Sequence, residues 1–161
     1  FYLWSQIATG TKISVDIPGG RFGRAEAREA RGRMASFSQG CRLIDGDSHE
    51  PSTFETVAAG LDGARLDFLF IDGDHSEQGV RRDWEMYSPL VRPGGMAAFH
   101  DVNDTPRHRA QGCLVGRFWA ALAGEKITIS SGADWGGIGV VRMGGCWAAP
   151  RNSKSEARNS K

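Results

Sequence analysis

Acid follows each of four strand-like runs in this chain: Asp16 after KISV, Asp45 and Asp47 after CRLI, Asp72 and Asp74 after LDFLFI, and Asp101 after MAAFH. His75 lies just beyond Asp72, and His100 directly precedes Asp101. Carboxylates accept hydrogen bonds from ribose hydroxyls, exocyclic amines or a cationic ligand, and they hold divalent ions through oxygen. A histidine titrates near neutrality and can take a proton from a hydroxyl. Aspartate and glycine also favour turns for local reasons, so any one of these positions has a purely conformational reading. Recurrence at four strand ends favours a ligand instead, best a nucleotide-like one with positive charge.

The runs that carry these groups alternate with helical patterns. LDFLFIDGDHSEQG (66–79) contains a continuous apolar run bounded by glycine, which reads as a strand covered on both faces, as in parallel sheets packed between helices. Polar groups at its carboxyl end then fall where open α/β sheets bind ligands. KISVDI (12–17) and CRLI (41–44) read as strands, RAEAREARGRM (24–34) as a solvated helix, and PSTFETVAAGL (51–61) as a helix with Pro51 in its first turn. Val80, Trp84, Tyr87 and Val91 recur at helical spacing, predicting one helix through SEQGVRRDWEMYSPLV. RPGG (92–95) predicts a turn, MAAFHDV (96–102) a buried strand, and GRFWAALAG (116–124) a helix. KITISS (126–131) and GIGVVRM (137–143) then form an antiparallel hairpin across GADWG.

Bulk properties narrow the class. The 161 residues suit one domain, and twenty basic against nineteen acidic residues leave a formal charge of +1, which gives no support to a nucleic-acid or anionic-membrane partner. Cys41, Cys113 and Cys146 lie far apart with no CxxC spacing, so neither a zinc knuckle nor a disulfide framework is expected, and a reducing, cytoplasmic setting is. No apolar run approaches membrane-spanning length, and no signal-peptide pattern is present. FYLWSQIATG (1–10) opens without methionine and already reads as a buried helix closed by Gly10, like a chain entered in the middle. Residues 144–161, rich in Ser, Asn, Arg and Lys, are expected to be a disordered tail behind a partial domain over 1–143.

VDIPGG, GDSH, FLFIDGDHSEQGVRRDWEMYSPLVRPGG, FHDV and WGGIGVV, taken together, resemble the class I S-adenosylmethionine-dependent methyltransferases, within the branch of small-molecule and sugar O-methyltransferases and cephalosporin-hydroxylase-like proteins. The resemblance spans residues 1–142 and implies an α/β, Rossmann-like, mostly parallel sheet with a C-terminal antiparallel hairpin, a methyl donor across the strand ends and a small-molecule acceptor above it. It also implies roles. Asp16 matches the acid that holds the donor's ribose, and Gly46, Asp47 and Ser48 match the segment that borders adenine. Asp72 and Asp101 match positions where metal-dependent members bind magnesium, and His75 matches a base used by some sugar methyltransferases. Asp72 also borders the donor and the reacting centre.

The chain departs from that pattern at His100-Asp101, where metal-dependent relatives have acid-acid or acid-asparagine, so His100 as a ligand and His100 as an ordinary hydrogen-bonded residue both stand. The family's first strand and glycine-rich loop, which precede the helix that residues 1–10 resemble, have no counterpart here, so an N-terminally truncated protein is expected. A degenerate, non-catalytic domain that packs against a partner, or a homo-oligomer, is compatible with these features. A nicotinamide-dependent oxidoreductase fits less well, since it calls for a G-x-G-x-x-G that is not visible.

Overall fold

The computed structural model describes residues 8–17, 29, 32, 33, 36, 39–130, 132 and 136–144. Helices predicted over 1–10 and 24–34 lie largely outside these residues, as does the tail beyond Gly144. The described strands form two sheets, a parallel pair and a four-stranded mixed sheet.

The parallel pair joins β1 (Lys12–Asp16) to β2 (Cys41–Asp45), with Asp16 opposite Asp45 at its carboxyl end. Helix α1 (Pro51–Gly60) follows, with Pro51 in its first turn, where a missing N–H costs nothing. The second sheet has β3 (Leu66–Ile71) parallel to β4 (Val91–His100), and β4 antiparallel to β6 (Ile138–Arg142), whose other edge pairs with β5 (Lys126–Ile129). The antiparallel hairpin is therefore present where the alternation placed it. No ladder joins β1 to β3 among the described strands.

Two boundaries differ from the sequence reading. Helix α2 (Glu77–Tyr87) stops before Val91, giving way to a single 3-10 turn at Ser88–Leu90, because Pro89 has no N–H with which to extend the helical ladder. Val91 is buried as expected, but as the first residue of β4. RPGG lies inside that strand, where the register jumps from Leu66 opposite Val91 to Phe68 opposite Met96 and Gly94 adopts φ +77°. The irregular stretch is held by Met143, which exchanges backbone hydrogen bonds with Gly94 and Gly95.

A short helix that the sequence reading missed, α3 (Pro106–Ala110), follows β4, and α4 (Val115–Ala121) occupies much of the predicted 116–124 segment. The core sits where α2 and α4 cover one face of the second sheet. Phe99 is fully buried there, with the rings of Trp84, Phe118 and Trp119 at 5.5, 5.5 and 5.7 Å. Gly139 lets Trp119 lie flat on β6, since a Cβ at that position would come within 2.7 Å of the indole. The expectation that β3 is covered on both faces is met only in part, as Ile71 is its single buried residue.

Candidate functional site

Asp16, the last residue of β1, and the loops after β2, β3 and β4 place the predicted acids in two groups at the carboxyl ends of the parallel strands. In the first, the Gly46 N–H donates to the Asp16 carbonyl at 2.9 Å, which seats the 46–49 loop beside the end of β1. Asp47 Oδ1 accepts from the His49 N–H at 2.8 Å, the turn-stabilising use that its residue type allows. The Ser48 carbonyl accepts from the Tyr87 hydroxyl at 2.8 Å, and the Ser48 hydroxyl bonds the buried Asp83. What Ser48 can offer a ligand is therefore its backbone N–H.

Asp83 and His49 tie this loop to α2. His49 Nε2 lies 3.3 Å from Asp83 Oδ1, while Arg82 donates to the His49 carbonyl at 2.9 Å. Burial pushes the Asp83 carboxyl above the usual carboxylate range, and Ser48 and His49 oppose that shift. Burial also raises the Tyr87 phenol, to about 12, with the charges of Asp83 and Asp47 adding to it, so Tyr87 stays a hydrogen-bond donor. Neither Asp83 nor Tyr87 was marked in the sequence reading as part of a site. Their acid and phenol types inside a helical stripe were the only signal.

The second group is denser. His75 stands between two carboxylates, with Nε2 at 3.1 Å from Asp72 Oδ1 and Nδ1 at 3.2 Å from Asp101 Oδ2. His100 Nδ1 lies 3.2 Å from Asp72 Oδ1 and 3.3 Å from Asp101 Oδ1. Asp72 is about half exposed, whereas the Asp101 side chain is only 3% exposed. The hydrogen bond to Asp72 raises the His75 pKa above its ordinary 6.5, the charges of Asp101, Asp72 and Asp74 add to that, and desolvation opposes it. Both His75 and Asp72 are thus placed to handle a proton at the open side of the cluster.

Local chemistry explains how the loop holds this shape. Asp74 Oδ1 accepts from the Ser76 N–H at 2.8 Å, and Ser76 Oγ accepts from the Gly79 N–H at 3.0 Å, capping α2. Asp74 is committed to that cap, so its turn-forming role accounts for it. The His75 carbonyl accepts from the Leu114 N–H at 2.7 Å, which fixes the backbone behind the imidazole. Gly73 sits against the first group, since a Cβ there would come 3.0 Å from Asp83 Oδ2 and 4.0 Å from Ser48 Oγ.

Asp101 adopts φ +57°, a left-handed backbone that aspartate tolerates better than most residues. Beneath it His108, fully buried, presents Nε2 at 3.8 Å from Asp101 Oδ1 and accepts there from the Gly136 N–H at 3.4 Å. His108 Nδ1 lies 3.0 Å from Thr105 Oγ1, so both ring nitrogens have polar neighbours. His108 was not identified from sequence. The Thr105-Pro106 pair, a cap followed by a first-turn proline, was the available sign of its helix.

Comparison with known proteins agrees with this architecture. A family model described as a methyltransferase domain matches residues 4–102. The protein y4gI of Sinorhizobium fredii is 28% identical over 78 residues, which is 48% of this chain and 8% of that protein. Among solved structures, the TDP-rhamnose 3′-O-methyltransferase of calicheamicin biosynthesis is similar with a TM-score of 0.57 at 16% identity, covering 84% of this chain and 59% of that one. An O-methyltransferase from Bacillus cereus in complex with SAH is similar with a TM-score of 0.53 at 18% identity, covering 82% of this chain and 62% of that one. At these identities the likeness establishes a Rossmann-like fold, and the chain spans less than two thirds of each of these proteins. No helix of the described residues is long and apolar enough to cross a membrane.

Proposed function

Because the chain belongs to the methyltransferase-domain family, matched over residues 4–102, we propose that it forms part of an S-adenosylmethionine-dependent methyltransferase acting on a hydroxyl of a small molecule or sugar. The observation that carries this reading is the placement of His75 between Asp72 and Asp101 at the carboxyl end of the parallel strands. In this reading Asp16 accepts from the donor's ribose hydroxyls. Asp47 accepts from the adenine amine, and the backbone at Gly46 and Ser48 borders the ring. The row of carboxylates favours the sulfonium charge of the donor over its neutral product.

Methyl transfer is an in-line displacement, in which the acceptor oxygen bonds the methyl carbon as the sulfur–carbon bond breaks and the sulfur leaves as a thioether. The acceptor's proton must go elsewhere. Asp101 holds the Nδ1 side of His75. Nε2, on the open Asp72 side, is then the proton acceptor, with Asp72 stabilising the imidazolium. A hydroxyl gains most from such a base, because its oxygen is a weak nucleophile until its proton is drawn away.

Metal-dependent relatives would place magnesium at Asp72 and Asp101. The donor chemistry here does not fit that ion, because two imidazoles stand among the carboxylates and magnesium takes oxygen ligands. No part of the proposed transfer depends on it.

Calorimetric titration of S-adenosylhomocysteine tests donor binding. Asp16→Ala should weaken affinity more than tenfold, on the scale of about 1.5 to 3 kcal/mol for hydrogen bonds to a charged group. Unchanged affinity in a folded variant removes Asp16 from the site.

A further inference from the structure

We infer that Asp72, His75 and His100 form a binding site for a first-row divalent transition ion of the zinc class, one that discriminates against magnesium. Asp72 Oδ1, His75 Nε2 and His100 Nδ1 converge, with Asp72 Oδ1 at 3.1 Å from the first nitrogen and 3.2 Å from the second. Asp72, His75 and His100 each offer one donor atom within 4.8 Å of the other two. Donors bound to one tetrahedral ion at about 2.0 to 2.1 Å stand roughly 3.4 Å apart, so the observed spacing needs little adjustment to receive it.

Hydrogen-bond accounting points the same way independently. His100 Nδ1 and Asp101 Oδ1 are buried atoms without a hydrogen-bond partner among the described residues, although they face each other at 3.3 Å. A cation beside them would engage the nitrogen directly and compensate the carboxylate. The far side of His75 is already arranged for ligation, because its Nδ1 meets the buried Asp101 Oδ2 at 3.2 Å. A ligating histidine characteristically donates its other ring N–H to a carboxylate, which fixes the tautomer and aims the free lone pair at the ion.

The donor types select the ion. Two imidazole nitrogens and one carboxylate suit zinc, iron, cobalt or nickel, whereas magnesium demands oxygen ligands in near-octahedral array and keeps its waters. Cys113 groups with His75 and Asp101 instead, a second set in which Asp72 and His100 take no part. The inference shares His75 with the proposed transfer, and an ion on Nε2 competes with the proton there.

Metal-free protein should be titrated calorimetrically with Zn2+ and, separately, Mg2+, and its Co2+ form examined by visible absorption. One equivalent of Zn2+ should bind, Mg2+ should not compete at a hundredfold excess, and Co2+ should give ligand-field bands. His100→Gln and Asp72→Asn, both at partly exposed side chains, should each loosen Zn2+ by at least about tenfold. Zn2+ affinity unchanged in both variants, or Mg2+ binding equal to that of Zn2+, overturns the inference. S-adenosylhomocysteine titrated into the same samples separates the two readings. Asp16→Ala should alter that affinity and leave Zn2+ binding intact, so donor binding can fail while the metal site stands, and the reverse.

Discussion

The protonation of His75 is set by the carboxylates on either side of it, and this gives its pH behaviour a definite sign. Its pKa is raised above 6.5, chiefly by the hydrogen bond to Asp72. As a base it acts only when neutral, so in metal-free protein the rate should climb through a limb lying above pH 6.5. Asp72→Asn removes the largest cause and should move that limb down, while His75→Gln should abolish it. A steady-state pH profile of kcat/KM checks both, and a limb unmoved in Asp72→Asn would separate the pair. Stability follows the same linkage. The folded state holds the proton more tightly, so His75 contributes stability that is fully present below the unfolded pKa and lost as pH rises through the folded one. Urea midpoints of the protein and of His75→Gln should therefore differ more at about pH 6 than at about pH 9.

At the scale of elements, close approach decides more than propensity does. Gly79, in the first turn of α2, lies so near Asp74 that a Cβ would come within 2.2 Å of its carboxyl carbon. Alanine is a better helix former than glycine by about 1 kcal/mol, yet Gly79→Ala should destabilise, because it displaces the carboxylate that binds the Ser76 N–H. A loss of about 1 to 3 kcal/mol in urea unfolding is expected, the range for overpacking. A variant as stable as the parent would show that the Asp74 cap can yield without cost. The same scale explains which boundaries were readable. Pro51 announced a helix start by its own chemistry, and Ser76 opens α2 as its N-cap. The end of α2 at Tyr87 was hidden because Val91 continues the helical stripe into a strand that buries it for a different reason.

For the molecule as a whole, one aromatic cluster holds the second sheet to its helices. Phe99 is fully buried on β4 and touches rings from both α2 and α4, so it links three elements at once. Phe99→Ala should cost about 3 to 5 kcal/mol, the range for removing a buried ring, against a typical domain stability of about 5 to 15 kcal/mol. Urea unfolding measures it, and a cost below about 1 kcal/mol would mean that the cluster collapses freely around the gap. The candidate site depends on this packing because Asp101 follows Phe99 by one intervening residue, His100, whose ring lies 6.1 Å from that of His75.

What the sequence determined by itself was local or periodic. Apolar runs closed by Asp16, Asp47, Asp72 and Asp101 announced strands with acid at their carboxyl ends, and alternation announced the hairpin of β5 and β6. Both follow from side-chain types along a short stretch of backbone. Tertiary structure alone decided which acids serve the loop and which face the cluster: Asp74 braces Ser76, the cap of α2, while Asp101 is buried against His75, His100 and His108. It likewise decided that Asp83, from the middle of a helix, would anchor the loop of Ser48 and His49. These pairings join residues distant in sequence, and their distances and desolvation arise only when separate elements pack.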